Sequence, residues 1–429
     1  MSDDLVQSRE GQSDAGGIVA VHPVVAAAFD ALDRADVAWA LLRGEAELEA
    51  PGGDVDLLAS VEELPRIHEA VAPLGFVAVP TWGRGSHRFF VVYDERSDAW
   101  LKLDVVTELA FGPHFAVRTG EAAGCLARRQ RVASLSVLAD DDAFWSLLLH
   151  CLLDRGNVPP KHAERLADLA GSAYVDSPLA HWTTACCPEG WDAAGVLDRA
   201  RNTDWTVLTS IAPRIVRRWA EQHRLAYLRR AMSNRVRLRT RRLHAALRLR
   251  GLRVALLGPD GVGKSTLAAG LQGSFYFPVR VFYAGLSRDS DRRRIVPGLR
   301  LARLLIGLQW NSLRASYHQA CGRLVVFDRY TYDAHLQPSP TRPLRFRRWL
   351  LAHACPRGDL ALLLNAPGDV MHSRKADFSR SALDDQRRQF LELRRRVPEL
   401  IVVDAAREAE VVRRAVTRLI WERYAQTLA

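Results

Sequence analysis

The segment from Gly258 to Thr266 reads GPDGVGKST, and its residue types suit the binding of a triphosphate. Gly258 and Gly263 are separated by four residues, Lys264 and Ser265 follow, and the segment lies between an apolar run, RVALL, and a helical one, LAAGL. Glycines let backbone amides turn toward phosphate oxygens, while a helix N-terminus adds partial positive charge. We predict that this loop binds ATP through Gly258, Pro259, Asp260, Gly261, Val262, Gly263, Lys264, Ser265 and Thr266.

Two loop side chains and the end of a later strand have predicted chemical roles. Lys264 reaches the β- and γ-phosphates, and the Ser265 hydroxyl binds Mg²⁺. The strand-like run LVVFD ends in Asp328 and continues with Arg329. Because parallel strands end at one edge of a sheet, we predict that Asp328 holds Mg²⁺ or orients an acceptor, and that Arg329 contacts phosphate. An aspartate that caps a turn is the plainer alternative for Asp328.

A third group of charges lies in the stretch SRKADFSRSALDDQRRQFLELRRRV, residues 373–397. One interpretation is a mobile lid that closes over the transferring group and brings Arg374, Lys375 and Arg380 to it. Under this interpretation Arg374 and Arg380 are catalytic. The other interpretation is an amphipathic helix whose charges face water.

With these motifs in this order, residues 251–429 resemble the thymidylate kinase family of P-loop kinases. The resemblance rests on GPDGVGKST, DRY, LLLNAPGDVMHSRK and LIVVDA. It implies a five-stranded parallel sheet with helices on both faces, and transfer of the γ-phosphoryl group of ATP to a nucleoside monophosphate with Mg²⁺. By the same resemblance, Lys264 stabilises the transferring phosphoryl group. Asp328 and Arg329 set the geometry of the acceptor and the phosphate, and Arg374 and Arg380 belong to the lid. Members commonly dimerise, so we expect a homodimer.

The chain departs from that family in the segments that recognise the acceptor. The segment FYAGLSR replaces a TREPG-like one, and Asp333 stands at the family's serine position without a following AYQ run. Gly261 stands where some members carry an arginine, so the catalytic arginine must come from the lid. We predict a kinase whose small-molecule acceptor is a nucleoside monophosphate or a related compound. An ATP-binding regulator or scaffold, and a nucleotidyltransferase with an accessory kinase-like region, stay open as alternatives.

Three carboxylates nearer the N-terminus have a spacing suited to nucleotidyl transfer. Asp54 and Asp56 alternate along one strand-like run and so face the same side, and Asp104 lies on another run. Three carboxylates around Mg²⁺ ions can activate a hydroxyl and neutralise a triphosphate. This region resembles the nucleotidyltransferase superfamily, although Gly44-Glu45 replaces its glycine-serine pair. An active transferase, a ligand-binding domain and a domain that only packs stay open.

The pattern of apolar residues predicts the elements that carry these groups. Residues 1–17 are polar and predict a disordered tail. Residues 18–139 mix strand-like and helical patterns, which predicts an α+β nucleotidyltransferase-like domain, and residues 140–213 predict a helical subdomain. An Arg-rich, partly helical linker is predicted over 214–250. The alternation of strands and helices over 251–429 predicts an α/β domain with a parallel P-loop sheet covered by helices on both faces.

The net charge of +11 is concentrated in one segment. Residues 214–253 hold 14 arginines and one acidic residue. Binding of phosphates, anionic lipid or RNA is one interpretation. We favour a solvated linker and do not expect nucleic acid as a partner, because no aromatic stacking pattern accompanies the charge. No apolar run approaches the roughly 20 residues of a membrane span, and the polar, acidic N-terminus differs from a signal peptide, so we expect a soluble cytoplasmic protein.

Overall fold

The computed structural model describes residues 20–248, 251–285, 297–336, 340–397 and 400–428. The predicted tail, residues 1–17, lies outside this part of the chain. Clustering of backbone contacts divides the chain into two compact units. The first unit comprises Met1–Phe90 and Leu101–Arg235, and the second comprises Val91–Trp100 and Val236–Ala429.

The larger of the two sheets in the N-terminal half has seven strands of mixed direction. The strands in chain order are β1 (Trp39–Arg43), β2 (Asp54–Ala59), β3 (Val77–Val79), β4 (His87–Asp94), β5 (Ala99–Val106), β6 (Ala110–Phe111), β7 (Val117–Arg118), β8 (Gln130–Val132) and β9 (Leu135–Val137). β6 pairs with β7, and the others lie in the order β3-β4-β5-β2-β1-β9-β8. β2 runs antiparallel to β1 and parallel to β5, so the two strands that carry the three predicted carboxylates are neighbours.

Helices account for most of the remaining first unit. They are α1 (Pro23–Arg34), α2 (Leu64–Val71), α3 (Ala122–Ala127), α4 (Asp140–Leu149), α5 (Pro160–Ser172), α6 (Pro178–Cys186), α7 (Ala193–Arg201), α8 (Trp205–Ser210) and α9 (Ala212–Gln222). A further helix, α10 (Arg224–Arg248), begins in the first unit, and its residues from Val236 onward belong to the second. α4 is buried along almost its whole length, including the carboxylate of Asp142. Arg128 donates two hydrogen bonds to that carboxylate, at 2.9 and 3.0 Å, and so compensates the buried charge. The described part of the Arg-rich segment is helical in α9 and α10.

The second unit is built on a five-stranded parallel sheet. Its strands are β10 (Arg253–Leu257), β11 (Val279–Tyr283), β12 (Leu324–Asp328), β13 (Leu360–Asn365) and β14 (Leu400–Asp404). They lie in the order β11-β12-β10-β13-β14, and every neighbouring pair is parallel. The three central strands are almost entirely buried, which explains why they read as continuous apolar runs.

Six helices accompany this sheet: α11 (Lys264–Ser274), α12 (Pro297–Ala320), α13 (Arg342–Ala352), α14 (Gly368–Arg374), α15 (Arg380–Glu392) and α16 (Ala409–Leu428). The predicted α/β organisation with a parallel sheet is therefore confirmed. The nucleotidyltransferase-like fold stays a prediction. No helix in the described ranges is long and apolar enough to span a membrane.

Candidate active site

The predicted phosphate loop joins the end of β10 to the start of α11. Its backbone requires glycine, because Gly258 has a φ of 141° and Gly261 a φ of 81°. A Cβ at Gly258 would lie 2.7 Å from the carbonyl oxygen of Leu364 in β13. A Cβ at Gly261 would lie 2.9 Å from the carbonyl oxygen of Met371 in α14. This close approach leaves no room for the arginine that some thymidylate kinases carry at this position.

Lys264 is folded back onto the loop. Its Nζ atom donates hydrogen bonds to the carbonyl oxygens of Gly258 and Pro259, at 2.9 and 2.7 Å. Burial lowers the pKa of Lys264 to about 8, and the nearby charge of Arg329 adds to this effect. The ammonium group is therefore held inside the loop, at the position where phosphate oxygens can replace the two carbonyls.

The two predicted Mg²⁺ ligands lie next to each other. The Ser265 hydroxyl donates a 2.5 Å hydrogen bond to Oδ2 of Asp328, which is the last residue of β12. Ser265 is exposed and Asp328 is half-buried, so both oxygens can be reached from solvent. Hydroxyl and carboxylate oxygens are the hard donors that Mg²⁺ prefers. This pair therefore fits a Mg²⁺ ion bound beside the loop.

Arg329 occupies a strained and highly polar position. Its φ of 71° lies in the left-handed region, which is costly for a residue other than glycine. The guanidinium forms an ion pair with Asp260 of the phosphate loop and lies 3.8 Å from Oδ2 of Asp333. Although burial opposes the charge, these two carboxylates hold the pKa of Arg329 above its ordinary value. Sequence reasoning noted Asp333 as a departure from a family pattern and missed its contact with Arg329.

The two predicted lid arginines differ in their surroundings. Arg374, at the end of α14, donates hydrogen bonds to the carbonyl oxygens of Val262, Ala405 and Arg407. It therefore links the phosphate loop to the segment that follows β14. Arg380 begins α15 and is exposed. The Arg380 side chain contacts no partner within the described residues.

The three predicted carboxylates of the first unit line one cleft of about 630 Å³. Asp56 and Asp104 are direct neighbours in the register of β2 and β5. Each carboxylate already has a side-chain partner. Asp54 pairs with Lys102 at 2.6 Å and Asp56 with Arg43 at 2.8 Å, and Nδ1 of His87 lies 2.8 Å from Asp104. Burial raises the pKa of Asp56, while Arg43 opposes this shift.

These ion pairs bear on whether the cleft fits a metal ion. No group of three histidine, cysteine or acidic side chains in the described ranges is arranged to hold one. Two further acids are also paired, Glu45 with Arg165 at 3.6 Å and Glu47 with Lys161 at 3.4 Å. His162 also lines the cleft. Lys102 and Arg43 thus neutralise two of the three carboxylates, and the nucleotidyltransferase role of the three stays a prediction.

Comparison with solved structures returns kinases among its matches. A thymidylate kinase from Candida albicans matches at 19% identity over 40% of this chain and 91% of that chain, with a TM-score of 0.30. A deoxyadenosine kinase from M. mycoides, solved with dCMP and dCDP, matches at 12% identity over 38% of this chain and 96% of that chain, also with a TM-score of 0.30. No family model and no curated protein sequence matches the chain. The interpretation of the site therefore rests on its own geometry.

Proposed function

We propose that the second unit is an ATP- and Mg²⁺-dependent kinase that transfers the γ-phosphoryl group to a nucleoside monophosphate or a related small molecule. The observation that supports this most strongly is the Ser265–Asp328 hydrogen bond, which joins the phosphate loop to the end of the neighbouring strand. A triphosphate bound to the loop amides would then lie near Ser265 and Asp328, whose oxygens can bind its Mg²⁺ ion, and near the ammonium group of Lys264.

Each side chain of the proposed site has one task. Lys264 exchanges its two carbonyl contacts for oxygens of the β- and γ-phosphates. Ser265 and Asp328 hold Mg²⁺, which supplies neutralisation of phosphate charge when it is bound. Arg329, fixed by Asp260, faces the acceptor side and balances the charge of the transferring group.

The lid completes the proposed site. Arg380 is exposed at the first residue of α15, so its guanidinium is free to approach the transferring group when the lid closes. Arg374 holds the loop in place through its carbonyl contacts. Both residues remain the predicted catalytic arginines, and their separate variants distinguish the two tasks.

Acceptor-dependent release of ADP from MgATP tests this proposal. The purified chain is assayed without acceptor and with a panel of nucleoside monophosphates, nucleosides, sugars and sugar phosphates. Lys264→Ala serves as the blank, since it removes the cation from the phosphate loop. Turnover in the wild type that is absent from this variant supports the kinase. ATP binding without turnover across the panel favours the regulator or scaffold and contradicts the kinase.

The cleft of the first unit supports a second candidate, the binding of a ligand by a nucleotidyltransferase-like domain. The supporting observation is that Asp54, Asp56 and Asp104 line one cavity. We assign no transfer step to them, because Lys102 and Arg43 already neutralise Asp54 and Asp56. Transfer of radiolabel from α-labelled nucleoside triphosphates, lost in Asp104→Asn, would show that this domain is an active transferase.

The proposal also includes the setting in which the kinase works. We expect a cytoplasmic protein, since MgATP is abundant there, and a homodimer. Light scattering after size-exclusion chromatography measures the mass of the assembly, and a mass that stays at one chain across a hundredfold range of concentration contradicts the dimer.

A further inference from the structure

Asp333 lies close to the proposed transfer site and has an unusual environment. It belongs to the short 3-10 segment Thr331–Leu336 that follows β12. Its side chain is 13% exposed, and its Oδ2 atom lies 3.8 Å from Nη1 of Arg329. The other oxygen, Oδ1, is buried and accepts no hydrogen bond from the described residues.

A buried carboxylate oxygen without a donor costs free energy. The cost of leaving such a group unpaired is typically about 1 to 3 kcal/mol, and more for a charged group. Such a group calls for an explanation, and a catalytic role or a bound partner is among the recognised ones. The Asp333 oxygen therefore lacks a hydrogen donor that a bound molecule can supply.

The two classes of phosphoryl acceptor, alcohols and phosphate monoesters, would interact differently with this oxygen. An alcohol has an O–H group that donates a hydrogen bond to a carboxylate. The terminal oxygens of a phosphate monoester dianion only accept hydrogen bonds, and their negative charge is repelled by the carboxylate of Asp333. Asp260 and Asp328 also lie near enough to interact with Asp333, so a second anion meets further negative charge.

We propose that Asp333 accepts the hydroxyl proton of the acceptor, and that the acceptor substrate of the second unit is therefore an alcohol rather than a phosphate monoester. This inference rests on the kinase activity proposed above and narrows its substrate class. It replaces the nucleoside monophosphate with a compound that has a free hydroxyl group and no phosphate group, such as a nucleoside, a sugar or a polyol.

The reaction balances without a further reactant. The hydroxyl oxygen forms a new bond to the γ-phosphorus, and the bond from that phosphorus to the β,γ-bridging oxygen breaks. The electron pair of the broken bond leaves with ADP. The hydroxyl proton passes to the Asp333 carboxylate and then to solvent, so that ATP and R–OH give ADP, a phosphate monoester and one proton.

The electrostatics around Asp333 suit this task. Burial raises the pKa of Asp333 to about 6, while Arg329 and Lys264 oppose the shift and the carboxylates of Asp260 and Asp328 add to it. A general base works best when its pKa lies near the working pH. The group is thus ionised near neutral pH and is more basic than an ordinary aspartate.

Matched acceptor pairs test the substrate class. Thymidine is compared with thymidylate, and ribose with ribose 5-phosphate, each with MgATP and the full chain. Phosphorus NMR identifies the product as a monoester or a diphosphate. We expect monoester products from the unphosphorylated member of a pair. Diphosphate products would overturn the alcohol acceptor and leave the kinase intact, whereas ATP binding without any turnover would overturn both.

Two variants test Asp333 itself, with slow hydrolysis of MgATP as a readout that needs no identified acceptor, because water is the smallest O–H acceptor. We expect Asp333→Asn and Asp333→Ser to lower turnover by about 10²-fold or more and to leave ATP affinity within about threefold. The exposed Asp385→Asn is the control.

The pH profile separates proton transfer from a structural role. Wild-type turnover should fall below a pH of about 6 as Asp333 becomes protonated, and the residual activity of Asp333→Asn should lack this limb. Circular dichroism checks that the variants fold. Turnover of Asp333→Asn within threefold of wild type, or an unchanged acidic limb, would overturn the assignment.

Discussion

At the scale of single residues, the proposed kinase site combines groups that are costly to the fold. Arg329 has a strained backbone, and Asp333 has a buried oxygen without a donor. Lys264 is buried with a lowered pKa. Such costs concentrate where side chains must meet a ligand that replaces their present partners.

Replacing Asp333 should therefore stabilise the fold while it removes activity. Burial raises the pKa of Asp333 in the folded state from its ordinary value of 3.8 to about 6. Its ionisation therefore lowers the stability of the fold progressively as the pH rises from about 4 to about 6, and by a constant amount above that. We expect Asp333→Asn to raise the free energy of unfolding by about 1 to 2 kcal/mol at pH 7.5, less than the full shift because the contact with Arg329 is lost. Urea denaturation measures this.

The same experiment has a built-in pH control. The gain should disappear as the pH falls through 6 toward 4, because the wild-type carboxyl is then protonated in the folded state. Asp385→Asn, at an exposed site, should change stability by less than about 0.5 kcal/mol throughout. A loss of stability in Asp333→Asn at pH 7.5 would show that the carboxylate is a structural group.

Gly261 offers a test of the loop geometry. Alanine there would be strained at a φ of 81° and would place its Cβ 2.9 Å from the carbonyl oxygen of Met371. We expect Gly261→Ala to lower the free energy of unfolding by about 1 to 3 kcal/mol and to weaken ATP binding at least tenfold. Calorimetric titration measures the affinity.

Gly273, in the last turn of α11, is the matched control. A Cβ at this position meets no atom within 4 Å, and its φ is not in the left-handed region. Gly273→Ala should therefore leave ATP affinity unchanged and should be neutral or stabilising by up to about 1 kcal/mol. Equal losses of affinity in both variants would refute the steric explanation.

At the scale of elements, the two arginines of the proposed lid lie on different helices, Arg374 at the end of α14 and Arg380 at the start of α15. Arg374 connects the phosphate loop to the end of β14 through three carbonyl contacts. Arg380 stands at the exposed start of α15. The sequence suggested one cluster of lid arginines, but the structure separates Arg374, which is hydrogen-bonded to the loop, from Arg380, which is exposed.

Replacing each of the two arginines should consequently have a different effect. Arg374→Ala should weaken ATP binding and lower thermal stability, because it leaves backbone carbonyls unsatisfied. Arg380→Ala should keep ATP affinity and lower kcat by about 10³-fold, the order of effect of a catalytic arginine on phosphoryl transfer. Arg388→Ala, exposed on α15, is the control. Parallel losses of affinity and kcat in both variants would contradict this division.

The sequence predicted the elements of the second unit better than the partners within its site. Buried parallel strands appear as apolar runs, and GPDGVGKST fixes the loop between β10 and α11, so both could be read locally. The contact of Arg329 with Asp333 and the pairing of Asp104 with His87 depend on how separate segments fold together. No spacing rule predicts such contacts. The sequence alone therefore marks Asp333 only as a departure from the thymidylate kinase pattern.

At the scale of the whole molecule, the positive charge is confined largely to one segment. α10 carries a series of exposed arginines, including Arg224, Arg229 and Arg235. Aromatic residues suited to base stacking do not accompany them in the described part of that helix beyond Tyr227. We therefore expect this charge to form a solvated surface rather than a specific nucleic-acid site.

Binding to nucleic acid should accordingly be weak at physiological salt. We expect a fluorescent single-stranded RNA to show no dissociation constant below about 1 μM at 150 mM salt, where non-specific contacts are weak. Fluorescence anisotropy at several salt concentrations measures this. Submicromolar affinity that falls steeply between 50 and 200 mM salt would instead assign α10 to nucleic-acid binding.

We propose above that the second unit binds ATP on its phosphate loop and transfers the γ-phosphoryl group to a small molecule. The most direct measurement is ADP release from MgATP by the wild type and by Lys264→Ala, with and without each acceptor of the panel. We predict acceptor-dependent ADP release in the wild type, an equal amount of phosphorylated product once acceptor-free hydrolysis is subtracted, and no acceptor-dependent release in Lys264→Ala. ATP bound by the wild type without acceptor-dependent ADP release would contradict it.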